Sequence, residues 1–346
     1  MNNYTQELRD TAKAMVVEGK GILAMDESNG TCNNRFDKLG IPATEDNRRA
    51  YRELILTTPN LSNYISGAIL YDETIRQSTQ DGKSFVEVMQ NAGMIPGIKV
   101  DTGAKDLARR PNEKVTEGLD GLRDRIIEYY QMGARFAKWR AVITISDRIP
   151  SDGCLEANAH GLARYAALCQ ENGLVPIVEP EVLVDGDHSL NRCYEVTEKT
   201  LHEVFRQLYV QNVAYDRMIL KPSMVISGAN CPIQASVEQV AKATMECLLN
   251  TVPSNVPGIA FLSGGQSNIK ASAHLNAMNQ IYGVQAPWRV TFSYARAIQQ
   301  PALEHWRGNA SNVAEAQKLL LHRAKCNSAA SLGNYNADLE KQPALV

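Results

Sequence analysis

The chain has 346 residues, with 36 lysines and arginines against 38 aspartates and glutamates, a formal net charge of −2 and 44% hydrophobic residues. These are ordinary globular proportions. The near-neutral balance, without a block of like charges, argues against binding of nucleic acid or anionic lipid through bulk electrostatics. No apolar run approaches the roughly 18 to 20 residues that span a bilayer. We therefore expect no nucleic-acid or membrane partner, and a small-molecule ligand.

Eight short apolar segments rich in β-branched residues recur along the chain, each bounded by glycine, proline or a polar step. They are 21–25, 64–70, 95–100, 136–143, 175–178, 218–220, 258–262 and 289–294. Between them, apolar residues three and four apart predict helices, for example over 119–132, 158–171 and 196–209. Further helices are predicted at 5–17 and 312–330.

Alternation of strand and helix eight times, without a linker or a composition shift, predicts a single (β/α)8 TIM barrel over residues 1–346. It carries extra N- and C-terminal helices and a flexible tail over about 334–346. The rival fold is a doubly wound open sheet. That fold usually shows GxGxxG after its first strand, whereas the first strand here ends in Asp26-Glu27-Ser28.

Cysteines and histidines bear on the compartment and on metal content. Seven cysteines form an odd set without CxxC or Cys/His metal spacing, so we expect mostly free thiols. The six histidines show no HxH or HExxH pattern, so we expect no histidine-ligated metal. The N-terminal sequence does not resemble a secretory signal. We expect a cytoplasmic protein, or a plastid stromal one if this is a processed form.

Charged or hydroxyl residues end nearly every predicted strand. They are Asp26, Lys99, Asp101, Lys138, Arg140, Glu179, Glu181, Lys221, Ser263, Ser293 and Arg296. In a barrel the carboxyl ends of the strands converge on the catalytic face. A single polar strand end commonly means only contact with water. This many, several of them inside apolar runs, indicates a site.

Lys221 is the residue whose sequence context most strongly indicates a catalytic role. It lies in Met-Ile-Leu-Lys-Pro-Ser-Met-Val, an apolar frame that disfavours an ammonium and lowers its pKa. A neutral amine is a nucleophile toward carbonyl groups. A lone strand lysine is more often an ion-pair partner, but a second cation nearby, Lys138, and the surrounding carboxylates favour the nucleophile.

Two groups of residues are typical of anion binding. Ser263-Gly264-Gly265-Gln266-Ser267 lies between a predicted strand and helix, where barrels bind phosphate through backbone N–H groups, and Arg296 can add a bidentate contact. A second group contains Lys99 and the Ser28, Thr31 and Arg35 segment. Two anion sites flanking an amine and carboxylates predict a bisphosphorylated carbonyl substrate.

Several motifs together resemble class I fructose-1,6-bisphosphate aldolases. These are GKGILAMDES, GIKVD, FAKWR, VPIVEPE, LKPSM, FLSGGQS and TFSYARA, in the family's order from about residue 18 to residue 335. The resemblance implies that Lys221 forms a Schiff base with the substrate ketone and that Glu179 is the general acid/base for its formation. Asp26 would take the C4 hydroxyl proton, Lys138 would support the nearby charge, and Glu181 would lie close to the amine.

The resemblance also implies the ligand contacts and the partners. Ser263, Gly264 and Arg296 would hold one phosphate, with Gly265, Ser293 and Ala295 beside them; the candidates for the other end are Ser28, Thr31, Arg35, Lys99 and Arg140. The imine serves as the electron sink, so no cofactor and no metal are expected. The products would be dihydroxyacetone phosphate and glyceraldehyde 3-phosphate, and the family is commonly a homotetramer. The alternative is a related aldolase that prefers another sugar phosphate, such as sedoheptulose 1,7-bisphosphate.

The chain departs from the family pattern at four places, one of which, Asp216-Arg217 where many members have Glu-Gly, leaves the motif of Lys221 intact. Its last tyrosine is Tyr335, whereas many members end in a tyrosine that helps exchange the C3 proton, so that proton transfer has no assigned residue. Ala295 replaces a glycine before the phosphate-binding arginine, and Thr31 replaces a serine. The contacts of those two positions are therefore expected to shift.

Overall fold

The computed structural model describes residues 4–341. The strands are β1 (Gly21–Ala24), β2 (Ile65–Leu70), β3 (Ile95–Lys99), β4 (Gly103–Asp106), β5 (Lys114–Glu117), β6 (Phe136–Ile143), β7 (Val175–Val182), β8 (Ile219–Leu220), β9 (Gly258–Phe261) and β10 (Arg289–Phe292). The helices are α1 (Thr5–Met15), α2 (Asn29–Asp37), α3 (Glu45–Leu56), α4 (Asp72–Ile75), α5 (Phe85–Asn91), α6 (Leu122–Gln131), α7 (Asp152–Glu171), α8 (Leu190–Val210), α9 (Val237–Thr251), α10 (Asn268–Tyr282), α11 (Arg296–Trp306), α12 (Val313–Ser331) and α13 (Ala337–Lys341).

Eight of these strands form one parallel sheet in the order β1-β2-β3-β6-β7-β8-β9-β10. The two edges meet, because the Ala24 N–H donates to the Tyr294 carbonyl at 3.0 Å. The sheet therefore closes on itself with helices in the connections, and the predicted (β/α)8 barrel is confirmed. Within residues 4–341, none of the helices combines the length and the apolar character that a membrane crossing needs.

The amino-terminal end of the barrel interior is apolar. Ile22, Phe136, Ile177 and Ile219 lie in one buried cluster together with residues of α1. Val16, just after α1, packs so close to Gly258 that a Cβ there would lie 2.6 Å from a Val16 methyl carbon. The N-terminal helix thus closes this end of the barrel, which leaves the carboxyl ends of the strands as the open face.

Hydroxyl side chains define where most of the helices begin. In each case the residue before the helix accepts a hydrogen bond from the backbone N–H three positions on, which satisfies one of the free donors of the first turn. The capping residues are Ser28, Thr44, Ser84, Ser151, Ser189, Ser236 and Ser267. Most of these serines and threonines follow strands, so they also fix the loops on the open face.

The structure adds one element that the sequence pattern did not predict. β4 and β5 form an antiparallel hairpin outside the barrel sheet, between β3 and α6. The Thr116 hydroxyl donates to the Arg140 carbonyl at 2.7 Å, and Asn158 accepts from the Thr116 N–H at 3.2 Å. The hairpin strands are short and carry many charged residues, so they lack the apolar signal of the barrel strands. The hairpin covers the outer end of β6.

Strand lengths and the chain end also differ in detail from the prediction. β7 continues to Val182, four residues past its predicted end, and regular pairing of β8 is limited to Ile219 and Leu220. Of the predicted flexible tail, residues 337–341 form α13, and residues 342–346 lie outside the described part of the chain. Mobility of the tail stays a prediction.

Close packing in the barrel interior predicts that a larger side chain at Gly97 destabilises the chain. A Cβ there would lie 2.1–2.5 Å from carbons of the Phe136 ring, so Gly97→Ala overpacks the interior. We expect the free energy of unfolding to fall by about 3 kcal/mol, measured by urea denaturation. The matched control is Gly161→Ala in α7, where a Cβ meets no atom within 4 Å. That change should stabilise the chain by roughly 0.5–1 kcal/mol. Equal effects of the two substitutions would contradict this packing argument.

Candidate active site

Strand alternation carries five charged residues to the inside of the barrel. Residues two apart on a strand share a face. On five strands the side chains that point into the barrel are apolar near the start of the strand, and the last of them, at the carboxyl end, is charged. Ile22 and Ala24 precede Asp26, and Ile177 precedes Glu179. By the same period Lys99, Lys138 and Lys221 follow Gly97, Phe136 and Ile219 on their strands. The intervening residues point outward, as Trp139 does in stacking on Tyr165 of α7.

Four of these side chains form a continuous line of ion pairs. The Lys138 ammonium lies 2.9 Å from Asp26 Oδ2 and 3.1 Å from Glu179 Oε2. The Lys221 ammonium lies 3.4 Å from the same Glu179 oxygen. All four residues are at least nine-tenths buried. The predicted catalytic residues from β1, β6, β7 and β8 therefore meet at one point.

The two lysines of this line differ in their electrostatics. Burial opposes the charge on Lys138, but Asp26 and Glu179 outweigh it and raise the pKa of its ammonium. For Lys221 burial is the largest cause, only partly offset by Glu179, and Lys138 adds repulsion, so the pKa of its amine is lowered. Lys138 and Lys221 outweigh burial at Asp26 and lower the pKa of its carboxyl. Of the two amines, that of Lys221 is thus the more readily deprotonated.

The next inward residues belong to a second layer of ion pairs. Arg140 pairs with Glu181, and Asp101 accepts from the Arg140 backbone N–H at 3.2 Å. Lys99 pairs with Asp101 at 2.7 Å and donates to its carbonyl at 2.8 Å. At the rim of the barrel each of the two cations therefore has its own carboxylate partner, and Asp101 also contacts the backbone of Arg140.

The glycine turn after β9 faces the N-terminus of α11. Gly264 and Gly265 both have positive φ, 52° and 81°, which turns consecutive backbone N–H groups outward. A Cβ on Gly265 would lie 3.7 Å from Nη2 of Arg296. Within residues 4–341 the Arg296 guanidinium has no ion-pair partner, and Ala295 leaves the first turn of α11 without a side-chain cap. The buried Ser293 hydroxyl also lacks a hydrogen-bond partner there. These free donors suit a phosphate.

The predicted residues after β1 are arranged differently. Ser28 caps α2, with its hydroxyl 3.1 Å from that of Thr31. Arg35 pairs with the Glu27 carboxylate, which Arg52 also contacts at 2.8 Å. Arg35 therefore anchors the loop that carries Asp26 and Ser28, and its role as a phosphate contact stays a prediction. Sequence reasoning passed over Glu27 and Arg52, because nothing in the pattern links two residues 25 positions apart.

Two further residues that hold the glycine turn were also missed. His274 of α10 lies with Nδ1 2.5 Å from Oε1 of Gln266, and Nε2 of Gln266 lies 3.4 Å from the Met224 sulfur. Gln266 follows the glycine pair, and Met224 is three residues past Lys221. The amide thereby connects the turn to the lysine segment. The sequence analysis assigns His274 no role, since no local pattern shows its partner.

The fold and these contacts define a (β/α)8 barrel with buried lysines and carboxylates at the carboxyl ends of its strands and an unpaired arginine beside the glycine turn. Residues 7–345 match the family model described as fructose-bisphosphate aldolase class-I. The chain belongs to the class I fructose-bisphosphate aldolase family, and its activity is the reversible cleavage of fructose 1,6-bisphosphate.

Individual relatives agree with the family model. The chain is 60% identical to a probable fructose-bisphosphate aldolase class 1 of Xanthomonas campestris, over 95% of this chain and 98% of that one. It is 52% identical to the chloroplastic fructose-bisphosphate aldolase 3 of Arabidopsis thaliana, over 99% of this chain and 86% of the relative. The solved Plasmodium falciparum fructose-bisphosphate aldolase, in complex with TRAP and a small-molecule inhibitor, superposes with a TM-score of 0.95 at 45% identity, covering 97% of each chain.

The buried position of His274 predicts that the stability of the chain depends on pH. Burial, with a smaller contribution from Lys270, lowers the pKa of His274 from 6.5 to about 4. The unfolded chain therefore binds more protons between those values, so stability that is complete above about pH 6.5 is lost as the pH falls toward 4. Between about pH 7 and about pH 5 we expect the wild type to lose roughly 2 kcal/mol more than His274→Asn in urea unfolding. The matched control is His160→Asn at an exposed position, which should follow the wild type. The same pH slope in all three proteins would refute the prediction.

Proposed function

We propose that Lys221 carries the reaction by forming a Schiff base with the C2 ketone of fructose 1,6-bisphosphate. The observation that supports this most directly is the contrast between the two buried lysines: Lys138 contacts two carboxylates and keeps its proton, while Lys221 contacts one and has a lowered pKa. The deprotonated amine attacks the carbonyl carbon, and the carbinolamine loses water to give the imine.

Glu179 lies where it can exchange protons with Lys221 during those steps, since its carboxylate is 3.4 Å from the amine. Lys138, on the other side of the same oxygen, holds the carboxylate in place. We propose Glu181, held by Arg140, as a further negative charge that favours the protonated imine. The protonated imine then draws electrons from the bond that breaks.

Asp26 is the proposed base for the cleavage. Its carboxylate, ionised beside Lys138, takes the proton of the C4 hydroxyl. The C4 oxygen becomes the aldehyde of glyceraldehyde 3-phosphate, and the C3–C4 electron pair moves toward the imine nitrogen and forms an enamine. Protonation at C3 and hydrolysis of the imine release dihydroxyacetone phosphate and restore the free amine. No residue is proposed for the C3 proton.

Two sets of residues are proposed to bind the phosphates. The free guanidinium of Arg296 and the positive-φ glycines support one set, which is Ser263, Gly264, Gly265, Ser293, Ala295 and Arg296. The other set is Ser28, Thr31, Arg35, Lys99 and Arg140. In this second set the cations are already paired, so a phosphate there would share them with carboxylates. Preference for a seven-carbon bisphosphate gains no support, because the relatives' names specify fructose bisphosphate.

We further propose a homotetramer in the cytoplasm, as the family resemblance implies. The bacterial relative supports the cytoplasm, and the chloroplastic relatives support the stroma as the alternative for a processed chain. Exposed apolar residues at the end of α8, Tyr209 at 78% and Val210 at 60% exposure, are consistent with burial between subunits.

Borohydride trapping tests the proposed Schiff base. Incubation with dihydroxyacetone phosphate followed by reduction should place one adduct on Lys221 and none on Lys138, because only the amine of lowered pKa is free to attack. Lys221→Arg keeps a cation at the same place, yet should lose the adduct and reduce turnover on the order of 10⁴-fold or more. An adduct on Lys138, or an unmodified Lys221 in an active enzyme, would exclude the mechanism.

Mass measurement tests the proposed tetramer. Light scattering on the eluted peak of the full chain should give four times the 38.1 kDa chain mass. Tyr209→Glu places a charge on the exposed end of α8 and should shift the mass toward smaller species, whereas Glu238→Gln at the start of α9 should not. A monomeric wild type would refute the tetramer and leave the proposed chemistry intact.

A further inference from the structure

A cluster of three metal-ligating side chains lies where α13 packs on α12, outside the barrel interior. His322 and Cys326 are four residues apart and share one face of α12, and Glu340 reaches them from α13. One ligand atom from each lies within 4.8 Å of the others. Cys326 is almost completely buried, and His322 and Glu340 are largely buried, with side-chain exposures of 13% and 20%. The proposed mechanism uses none of these residues.

We propose that His322 Nε2, Cys326 Sγ and Glu340 Oε2 bind a Zn²⁺ ion that fastens α13 to α12. Imidazole, thiolate and carboxylate are the ligand types that Zn²⁺ prefers, with bonds of about 2.0–2.3 Å. At a tetrahedral angle such bonds separate sulfur and nitrogen by about 3.6 Å. The Cys326 sulfur and the His322 nitrogen are 3.7 Å apart.

The third ligand needs only a small movement. Glu340 Oε2 lies 4.0 Å from His322 Nε2, where tetrahedral bonds would place it at about 3.3 Å. The two ligand atoms must therefore approach by about 0.7 Å when the ion binds. Water completes the four-coordinate site, since three protein ligands leave one position open. When the ion binds, the S–H bond of Cys326 breaks, the S–Zn bond forms and the proton passes to solvent.

The residues around the carboxylate already resemble the outer shell of a metal site. Ligating carboxylates in metalloproteins are themselves hydrogen-bonded. Arg323 donates to both oxygens of Glu340 at 2.6 Å, and the Tyr335 hydroxyl donates to Oε1 at 2.7 Å. These donors hold the Glu340 carboxylate beside His322, and the bound ion would share Oε2 with Arg323. The Arg323 guanidinium also offsets part of the negative charge that the thiolate and the carboxylate bring.

The location gives the ion a structural role. Arg323 also donates to the Asn268 carbonyl at 3.2 Å and to the Ser272 hydroxyl at 2.8 Å, both on α10. α10 begins five residues after Ser263, directly behind the glycine turn. An ion held by α12 and α13 therefore fixes α13 close to α10, the helix that follows the glycine turn. No short sequence pattern for metal binding contains these residues, because Glu340 is 14 positions from Cys326.

Cobalt titration of the full chain tests the site. After dialysis against EDTA, Co²⁺ should bind one per chain, with a sulfur-to-cobalt charge-transfer band and the intense visible bands of tetrahedral cobalt, and Zn²⁺ should displace it. Cys326→Ser should abolish the charge-transfer band, and His322→Asn should weaken binding at least roughly tenfold. Cys231→Ser, at the cysteine that is not buried, is the matched control and should bind as the wild type does.

Glu340→Gln keeps partners for Arg323 and Tyr335 but removes the anionic ligand, and should also weaken binding at least roughly tenfold. Zn²⁺ should slow trypsin cleavage after Lys341 in the wild type and not in this variant. Borohydride trapping by the EDTA-treated chain should be unchanged, which separates this site from the proposed chemistry. Absence of the charge-transfer band, its persistence in Cys326→Ser, or wild-type affinity in Glu340→Gln would overturn the proposal.

Discussion

The carboxylate of Glu179, which contacts two buried lysine side chains, makes the interaction on which the site depends. One of its oxygens lies 3.1 Å from Lys138 and 3.4 Å from Lys221. Removing a single partner from such a buried line leaves an uncompensated charge, at a cost of about 3–5 kcal/mol. The line is also asymmetric, because Asp26 adds a second carboxylate to Lys138 only. That asymmetry separates the two amines into a fixed cation and a nucleophile.

The barrel can accommodate this charged cluster because one of its ends is apolar and the other is charged. At the amino-terminal end, α1 and large side chains such as Phe136 fill the interior against glycines. At the other end the same strands present charged side chains with mutual partners. The loop after β1 is held by the buried contact of Arg52 with Glu27, next to Asp26. Packing at one end thus keeps the strand register that the charges at the other end require.

Much of the fold and of the site was predictable from local pattern. Each barrel strand is an apolar run of a few residues, and in five of the eight strands the inward-facing residues end in a charged one at a spacing of two. The hairpin of β4 and β5 was not predictable in this way, since its strands are short and charged. The contacts of Gln266 with His274 and of Glu27 with Arg52 were missed for another reason: each joins elements that are separate in the sequence pattern.

The sequence by itself determined the strand and helix order, the side of each strand on which Asp26, Lys138, Glu179 and Lys221 lie, and the motifs that place the chain in its family. It determined these because periodicity and capping are properties of neighbouring residues. The tertiary structure decided which lysine contacts two carboxylates and which contacts one, that Arg35 and Lys99 are paired while Arg296 is free, and that Glu340 meets His322 and Cys326. Distances between strands and helices depend on barrel closure and on packing of the whole chain, which no local pattern contains.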